Sequence, residues 1–173
     1  ALHVWEGAYF AGMGTILAKW INRADAEGRI GVVAYDPLGS PVYISSDIGF
    51  RDTAAWWFWQ TKLKGFAVFD YDQAVGLDAD DWIPRLHERL ERHGITASNL
   101  GKIYLPPDAR AKTFQSKYSA MERFLASFGA SKIEITPPIR VKDRINAARV
   151  VARRCEFDRS HCEQGLDGLR AWS

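Results

Sequence analysis

Apolar and polar positions change their period several times along this chain, and each change marks an element boundary. In PVYISSDIGFRDTAAWWFWQ, residues 41–60, a short β-prone run around Val42 and Ile44 ends on Asp47. A polar turn containing Gly49 follows, then the most apolar run in the protein, from Ala54 to Trp59. Two such runs read as a hairpin. The second shows so little polar alternation that it predicts a central strand buried on both faces. FAVFDYDQA, residues 66–74, predicts a third strand with Phe66, Val68 and Asp70 on one face and Ala67, Phe69 and Tyr71 on the other. The period then lengthens. Asp80 or Asp81 caps a helix that tolerates Pro84 in its first turn, buries Trp82, Leu86 and Leu90, and stops at Gly94. Ile103 to Leu105 form a short strand halted by Pro106 and Pro107. A helix over 116–128 points Tyr118, Met121, Leu125 and Phe128 inward and ends at Gly129. KIEIT is a fifth strand, broken by Pro137 and Pro138, and 141–153 is a further helix. Upstream, 15–27 reads as a helix with Ile16, Trp20 and Ala24 on one face and Gly28 as its stop, followed by the Pro- and Gly-punctuated linker VVAYDPLGSP.

The order from residue 41 is three strands, helix, strand, helix, strand, helix. This is an α/β chain of RNase H-like arrangement: an antiparallel three-strand meander followed by alternating helices and strands in one mixed sheet. In such a sheet the first strand lies beside the strand after the first crossover helix. Asp47 and Asp108, just past the ends of those two strands, would then be neighbours. Paired carboxylates repel, raise each other's pKa and are best tolerated with a divalent cation between them. From that geometry Mg²⁺ or Mn²⁺, as two ions about 4 Å apart, activates water and stabilises a departing oxygen in phosphodiester cleavage. Such sites need a third acid. Taken locally, Asp47 reads first as an ordinary turn residue, and the rest of the chain is what favours a metal role.

Composition narrows the classes. With 47% hydrophobic and 25% charged residues, 173 residues make one folded domain with a real core, and disorder is excluded. A net charge of +2 permits a nucleic-acid partner without demanding one. No apolar run reaches membrane-spanning length and no signal pattern opens the chain, so no membrane partner is expected and a cytoplasmic setting is the simplest. Cys155 and Cys162 make no disulfide framework, and with His161 they match no standard zinc spacing; all three read as packing residues. The cluster Trp56, Trp57, Trp59 reads as core before base-stacking platform.

SSDIGFRDTAAWWFWQ resembles the first nuclease motif of tailed-phage terminase large subunits, in which a strand ends in Asp-x-Gly and is followed by Asp-Ser/Thr-Ala and an aromatic run closing on Trp-Gln. YLPPDAR resembles their second motif. The stretch from Arg144 to Trp172 resembles the segment beyond it, with Asn146, Arg149, Cys155, Phe157, Asp158, Cys162, Gly165 and Leu169 at the expected places. Glu6 to Gly14 and EGRIG resemble the join between packaging ATPase and nuclease, which implies residues 1–40 as junction helix and linker and 41–173 as an RNase H-like nuclease domain lacking its C-terminal part. The resemblance implies a metal-dependent endonuclease of a phage or prophage that cuts concatemeric DNA in the host cytoplasm, with Mg²⁺ or Mn²⁺ as cofactor. It implies as partners double-stranded DNA and, in the whole protein, the terminase small subunit, the portal and an N-terminal ATPase domain. Asp47 and Asp108 become metal-ligating acids, while Asp52 holds the turn or approaches the metal through water. Pro107 stands where the family often has His. The family's third acid lies in a His-Gly-x-Asp-Ala stretch beyond the equivalent of Ser173, so weak or no cleavage is expected of this chain. No Gly-x-x-x-x-Gly-Lys-Ser/Thr loop is present, so no ATPase activity is expected.

Asp70 and Asp72 are rival metal ligands, read as solvated acids near a strand end. Arg140, Lys142, Arg144, Arg149, Arg153 and Arg154 read either as a solvated face or as a surface for duplex phosphates, and Arg110 and Lys112 are placed to touch the cut strand. Two other functions fit the same fold: a resolvase- or transposase-type nuclease, and a catalytically inactive DNA-binding module.

Overall fold

The computed structural model describes residues 15–47, 53–112 and 116–173. Within them seven strands hydrogen-bond in the order β1-β7-β4-β3-β2-β5-β6. These are β1 (Ile30–Gly31), β2 (Val42–Asp47), β3 (Thr53–Lys62), β4 (Gly65–Val75), β5 (Leu100–Leu105), β6 (Ile133–Ile135) and β7 (Cys155–Asp158). Five α-helices accompany them: α1 (Ala18–Ala26), α2 (Ala79–His93), α3 (Ala120–Phe128), α4 (Val141–Ala152) and α5 (Arg159–Ala171). The result is an α/β, RNase H-like mixed sheet. The described residues divide into two compact units, one drawn from 15–34, 62–70 and 139–173, the other from the described parts of 35–61 and 71–138.

In the second unit β2 runs antiparallel to β3 and parallel to β5, and β5 runs parallel to β6. The Trp-rich strand β3 is buried on one face only. Ala54, Trp56, Phe58 and Gln60 are buried, while Ala55, Trp57 and Trp59 are half-buried. An unbroken run of large side chains conceals this alternation, because indoles suit a half-covered face as readily as a core. Helices α2 and α3 supply the cover: the Trp56 ring lies 5.4 Å from Trp82 and 5.5 Å from Phe124, and all three are fully buried.

Gln60 is the buried polar side chain of β3. Its amide donates to the carbonyls of Asp36 and Ser40, each at 2.8 Å, and its oxygen accepts from the Asp36 N–H at 2.9 Å. The segment between β1 and β2 is thereby fastened to the sheet.

Trp82, Leu86 and Leu90 form the buried stripe of α2, and Gly94 ends it in the left-handed conformation at φ 73°. The cap is Asp78, earlier than the pattern places it. The Asp78 carboxylate accepts from Asp81 N–H, and the Asp81 carboxylate accepts from Asp78 N–H, a reciprocal box that satisfies two otherwise orphaned donors. Pro84 consequently sits in the second turn. Helix α3 starts at Ala120 behind Ser119, a buried N-cap whose hydroxyl accepts from Glu122 N–H, so Tyr118 stays exposed and Phe124 is the fully buried residue.

In the first unit β7 lies parallel to both β1 and β4. Helix α1 buries Ile21 and Ala24, with Leu17 just before it; Ala24 lies on the expected face, but Trp20 is half-buried and Ile16 precedes the helix, which begins three residues later than the pattern suggests. Helix α5 buries Cys162, Gly165 and Leu166. Gly65 opens β4 where no side chain fits: a Cβ there would stand 2.0 Å from the Arg154 carbonyl oxygen. Gly65→Ala is expected to lower unfolding free energy by about 1–3 kcal/mol, the usual cost of overpacking, read from urea unfolding curves.

Candidate metal and nucleic-acid site

The register of β2 against β5 brings the two sequence-selected acids to the same end of the sheet. The parallel pairing runs through Ile44↔Ile103 to Ser45↔Tyr104. Beyond it the Ser46 hydroxyl donates to the Tyr104 carbonyl at 2.7 Å, holding the strand ends together. Asp47 is the last residue of β2; Asp108 follows β5 in the 3-10 turn Pro107–Arg110, whose prolines stop the strand. Both acids are exposed, and neither carboxylate takes part in a side-chain hydrogen bond or ion pair with the described residues. By strand parity Asp47 lies on the face of Tyr43, Ser45, Trp57 and Trp59. There the Trp59 indole N–H donates to Ser45 Oγ at 3.0 Å, and the rings of Tyr43 and Trp59 stand 4.8 Å apart.

Carboxylates such as these, without a partner among the described residues, are the kind of oxygen donor that hard divalent cations take. Among the described residues no group of three or more His, Cys, Asp or Glu side chains is gathered to hold a metal ion. Asp52 lies outside the described residues, as does the stretch from Glu6 to Gly14.

Asp70 and Asp72 are buried, not solvated, because β4 extends past them to Val75. Asp72 receives both Nε and Nη2 of Arg85, at 2.6 and 2.8 Å, with Arg89 at 3.4 Å. The Asp72 hydrogen bond holds the Arg85 guanidinium above its ordinary pKa. These contacts commit Asp72 to the structure of the second unit.

Of the basic candidates, Arg110 and Lys112 are exposed beside Asp108, Lys112 with Glu122 at 4.0 Å. Lys142 and Arg144 are exposed in the first turn of α4. Arg149 is half-buried, and its Nε donates to the Ile16 carbonyl at 3.2 Å.

His161 differs from its expected packing role. Its side chain is 56% exposed, and Nδ1 lies 2.6 Å from Asp158. Asp158 is a buried cap of α5 that sequence reasoning left without a role. Burial works to raise its pKa, but the backbone N–H groups of His161 and Val33 and the side chains of His161 and Ser160 outweigh it and hold the carboxyl below the ordinary carboxylate value. A carboxylate depressed in the folded state stabilises fully above its unfolded pKa of about 3.9, and that stabilisation is lost as pH falls through the folded value. Asp158→Asn is therefore expected to be less stable than wild type at pH 7, with the gap closing between about pH 5 and pH 2, measured by urea unfolding across pH.

Both cysteines are free and buried. Burial pushes each thiol up to about 12, with the charges of Asp70 and Asp158 adding to the effect at Cys162. Alkylation of the folded chain at pH 8 is expected to be slow, with both thiols reacting rapidly once denaturant is added.

Comparison with known proteins agrees with this geometry at the level of fold. No protein-family model matches the sequence, and no curated protein matches it. Among solved structures, the fold is that of the nuclease domains of phage large terminases. The large terminase of the thermophilic bacteriophage D6E superposes with a TM-score of 0.63 at 12% identity, over 83% of this chain and 35% of that one. The large terminase nuclease of thermophilic phage G20c with bound magnesium gives 0.53 at 14% identity over 90% and 79%, and the P22 large terminase nuclease domain 0.52 at 13% over 84% and 75%. This chain thus spans about a third of the D6E protein. G20c nuclease structures also hold cobalt and zinc. Among the described residues no helix is long and apolar enough to cross a membrane.

Proposed function

We propose that this chain is the nuclease domain of a phage terminase large subunit, a metal-dependent DNA endonuclease in which Asp47 and Asp108 bind divalent cations. The observation that supports the proposal is that two exposed acids, without partners among the described residues, follow the same ends of adjacent parallel strands in a terminase-nuclease fold. Mg²⁺ or Mn²⁺ bound there would supply Lewis acidity and lower the pKa of coordinated water. The chain's own side chains do the rest. Asp47 and Asp108 fix the cations, Arg110 and Lys112 hold the phosphate of the strand to be cut, and Lys142, Arg144 and Arg149 contact the duplex backbone elsewhere. In the whole protein the cut would fall on concatemeric phage DNA in the host cytoplasm, with an ATPase domain, small subunit and portal as partners.

With two acids assigned among the described residues and no third, cutting should be slow. Incubating supercoiled plasmid with the chain at high concentration tests the reading. Slow nicking is expected in Mn²⁺, none in EDTA, and no preference for branched over linear duplex. Metal-independent nicking, or selective cutting of four-way junctions, would point instead to another nuclease type on this fold.

A further inference from the structure

The cations around α1 fall into two groups with different surroundings. On one side Asp25 gathers arginines from α5: the Arg159 guanidinium donates to it at 2.5 Å, and Arg170 approaches to 3.6 Å. The Arg159 hydrogen bond, foremost, holds the Asp25 carboxyl below its ordinary value. On another side three cations crowd one indole. Arg153, just past α4, lies 4.6 Å from the Trp20 ring centroid, Lys19 lies at 5.3 Å and Arg23 at 6.0 Å. Lys19, Arg23 and Arg153 are exposed and Trp20 is half-buried.

Like charges so close to one another repel, and an aromatic face offsets this only in part. Among the described residues neither Lys19 nor Arg153 has a carboxylate within 4 Å, and Arg23 has only Glu27, at 3.2 Å in an exposed pair that is itself shared with Arg29. Among the described residues, Asp25 neutralises its arginines while Lys19 and Arg153 keep no carboxylate partner. Two forked guanidiniums and an ammonium around an indole suit phosphate oxygens.

We propose that Lys19, Trp20, Arg23 and Arg153 form a nucleic-acid contact surface on the first unit, taking the phosphate backbone of duplex DNA. It rests on the nuclease reading above and adds a contact made by the helix that precedes the sheet. Of its residues the sequence pointed to Arg153 alone as a phosphate contact; Lys19, Trp20 and Arg23 are added by the structure.

Fluorescence anisotropy of a labelled duplex, in EDTA so that cutting plays no part, tests the surface. The triple variant Lys19→Gln, Arg23→Gln, Arg153→Gln is compared with wild type over a salt series, with circular dichroism confirming that both fold. Removing one cation that neutralises a phosphate should reduce the slope of log K against log salt by about 0.9. The triple variant should show a slope smaller by about 2–3 and affinity down about tenfold or more at low salt. Trp20→Leu, which keeps every charge, should leave the slope unchanged. If wild type binds and the folded triple variant matches it in affinity and slope, this surface is refuted while the nuclease reading stands. If wild type has no affinity for duplex, the nuclease reading fails and takes the surface with it. Competition by polyglutamate as effective as that by unlabelled duplex would overturn the choice of nucleic acid as partner.

Discussion

Asp47→Ala and Asp108→Ala are each expected to reduce Mn²⁺-dependent nicking at least about 100-fold under single-turnover conditions. The magnitude follows from what each carboxylate would do. Losing a group that merely orients a metal ligand costs about 10–100-fold in affinity or activity, so removing one of two gathered ligands should cost more. The expected pattern is more diagnostic than the size. Both acids would serve one cation site, so the double variant should be little worse than either single one, a failure of additivity that independent contributions would not produce. Neither acid has a structural partner among the described residues, so all three variants should melt close to wild type. Nicking within a few-fold of wild type in either single variant, with melting unchanged, would separate the acids from the chemistry.

Trp56→Ala is expected to have the largest effect on stability. Trp56 has no exposed surface and joins β3 to both covering helices through Trp82 and Phe124. Truncating it should cost about 3–5 kcal/mol through reduced burial and cavity formation. Against a typical total of about 5–15 kcal/mol, that brings the fold near its limit, and at about 2–4 °C per kcal/mol the melting temperature should drop by roughly 10 °C or more. The Trp56 and Trp82 indole nitrogens are buried without an acceptor among the described residues, so packing rather than hydrogen bonding is what these rings contribute. Trp56→Phe should accordingly lose much less, and Trp57→Ala, on the half-buried face, should fall between the two. Thermal melts of the three variants rank them directly; equal losses at 56 and 57 would contradict the one-sided burial of β3.

The elements that the sequence disclosed are those with strong local signals. Gly94 and the Trp82, Leu86, Leu90 stripe located α2, and the double proline after Leu105 located both the end of β5 and the position of Asp108. What escaped is nonlocal. Strand β1 is two residues long, and β7 is four, and both exist because they pair with each other and β7 with β4, which no periodicity announces. Asp70 and Asp72 read as solvated because the rule for acids is exposure, whereas Arg85 and Arg89 reach Asp72 from α2, across a separation in sequence that hides the pairing. Asp158 carried a faint signal: an acid two residues before a serine and three before a histidine is a plausible helix cap, but only the fold shows that it also holds the Val33 N–H. The candidate site was half legible. Strand order placed Asp47 beside the strand leading to Asp108, whereas the Ser46–Tyr104 bond between those strand ends became visible only in three dimensions.

If Asp47 and Asp108 together hold a divalent cation, calorimetric titration of Mn²⁺ into the chain will show it. Wild type should give a weak, saturable binding heat, and Asp47→Ala and Asp108→Ala should each abolish it. Binding that persists unchanged in both variants would place the metal elsewhere, and a wild-type chain that takes up no Mn²⁺ at millimolar concentration would leave these acids without the role proposed for them.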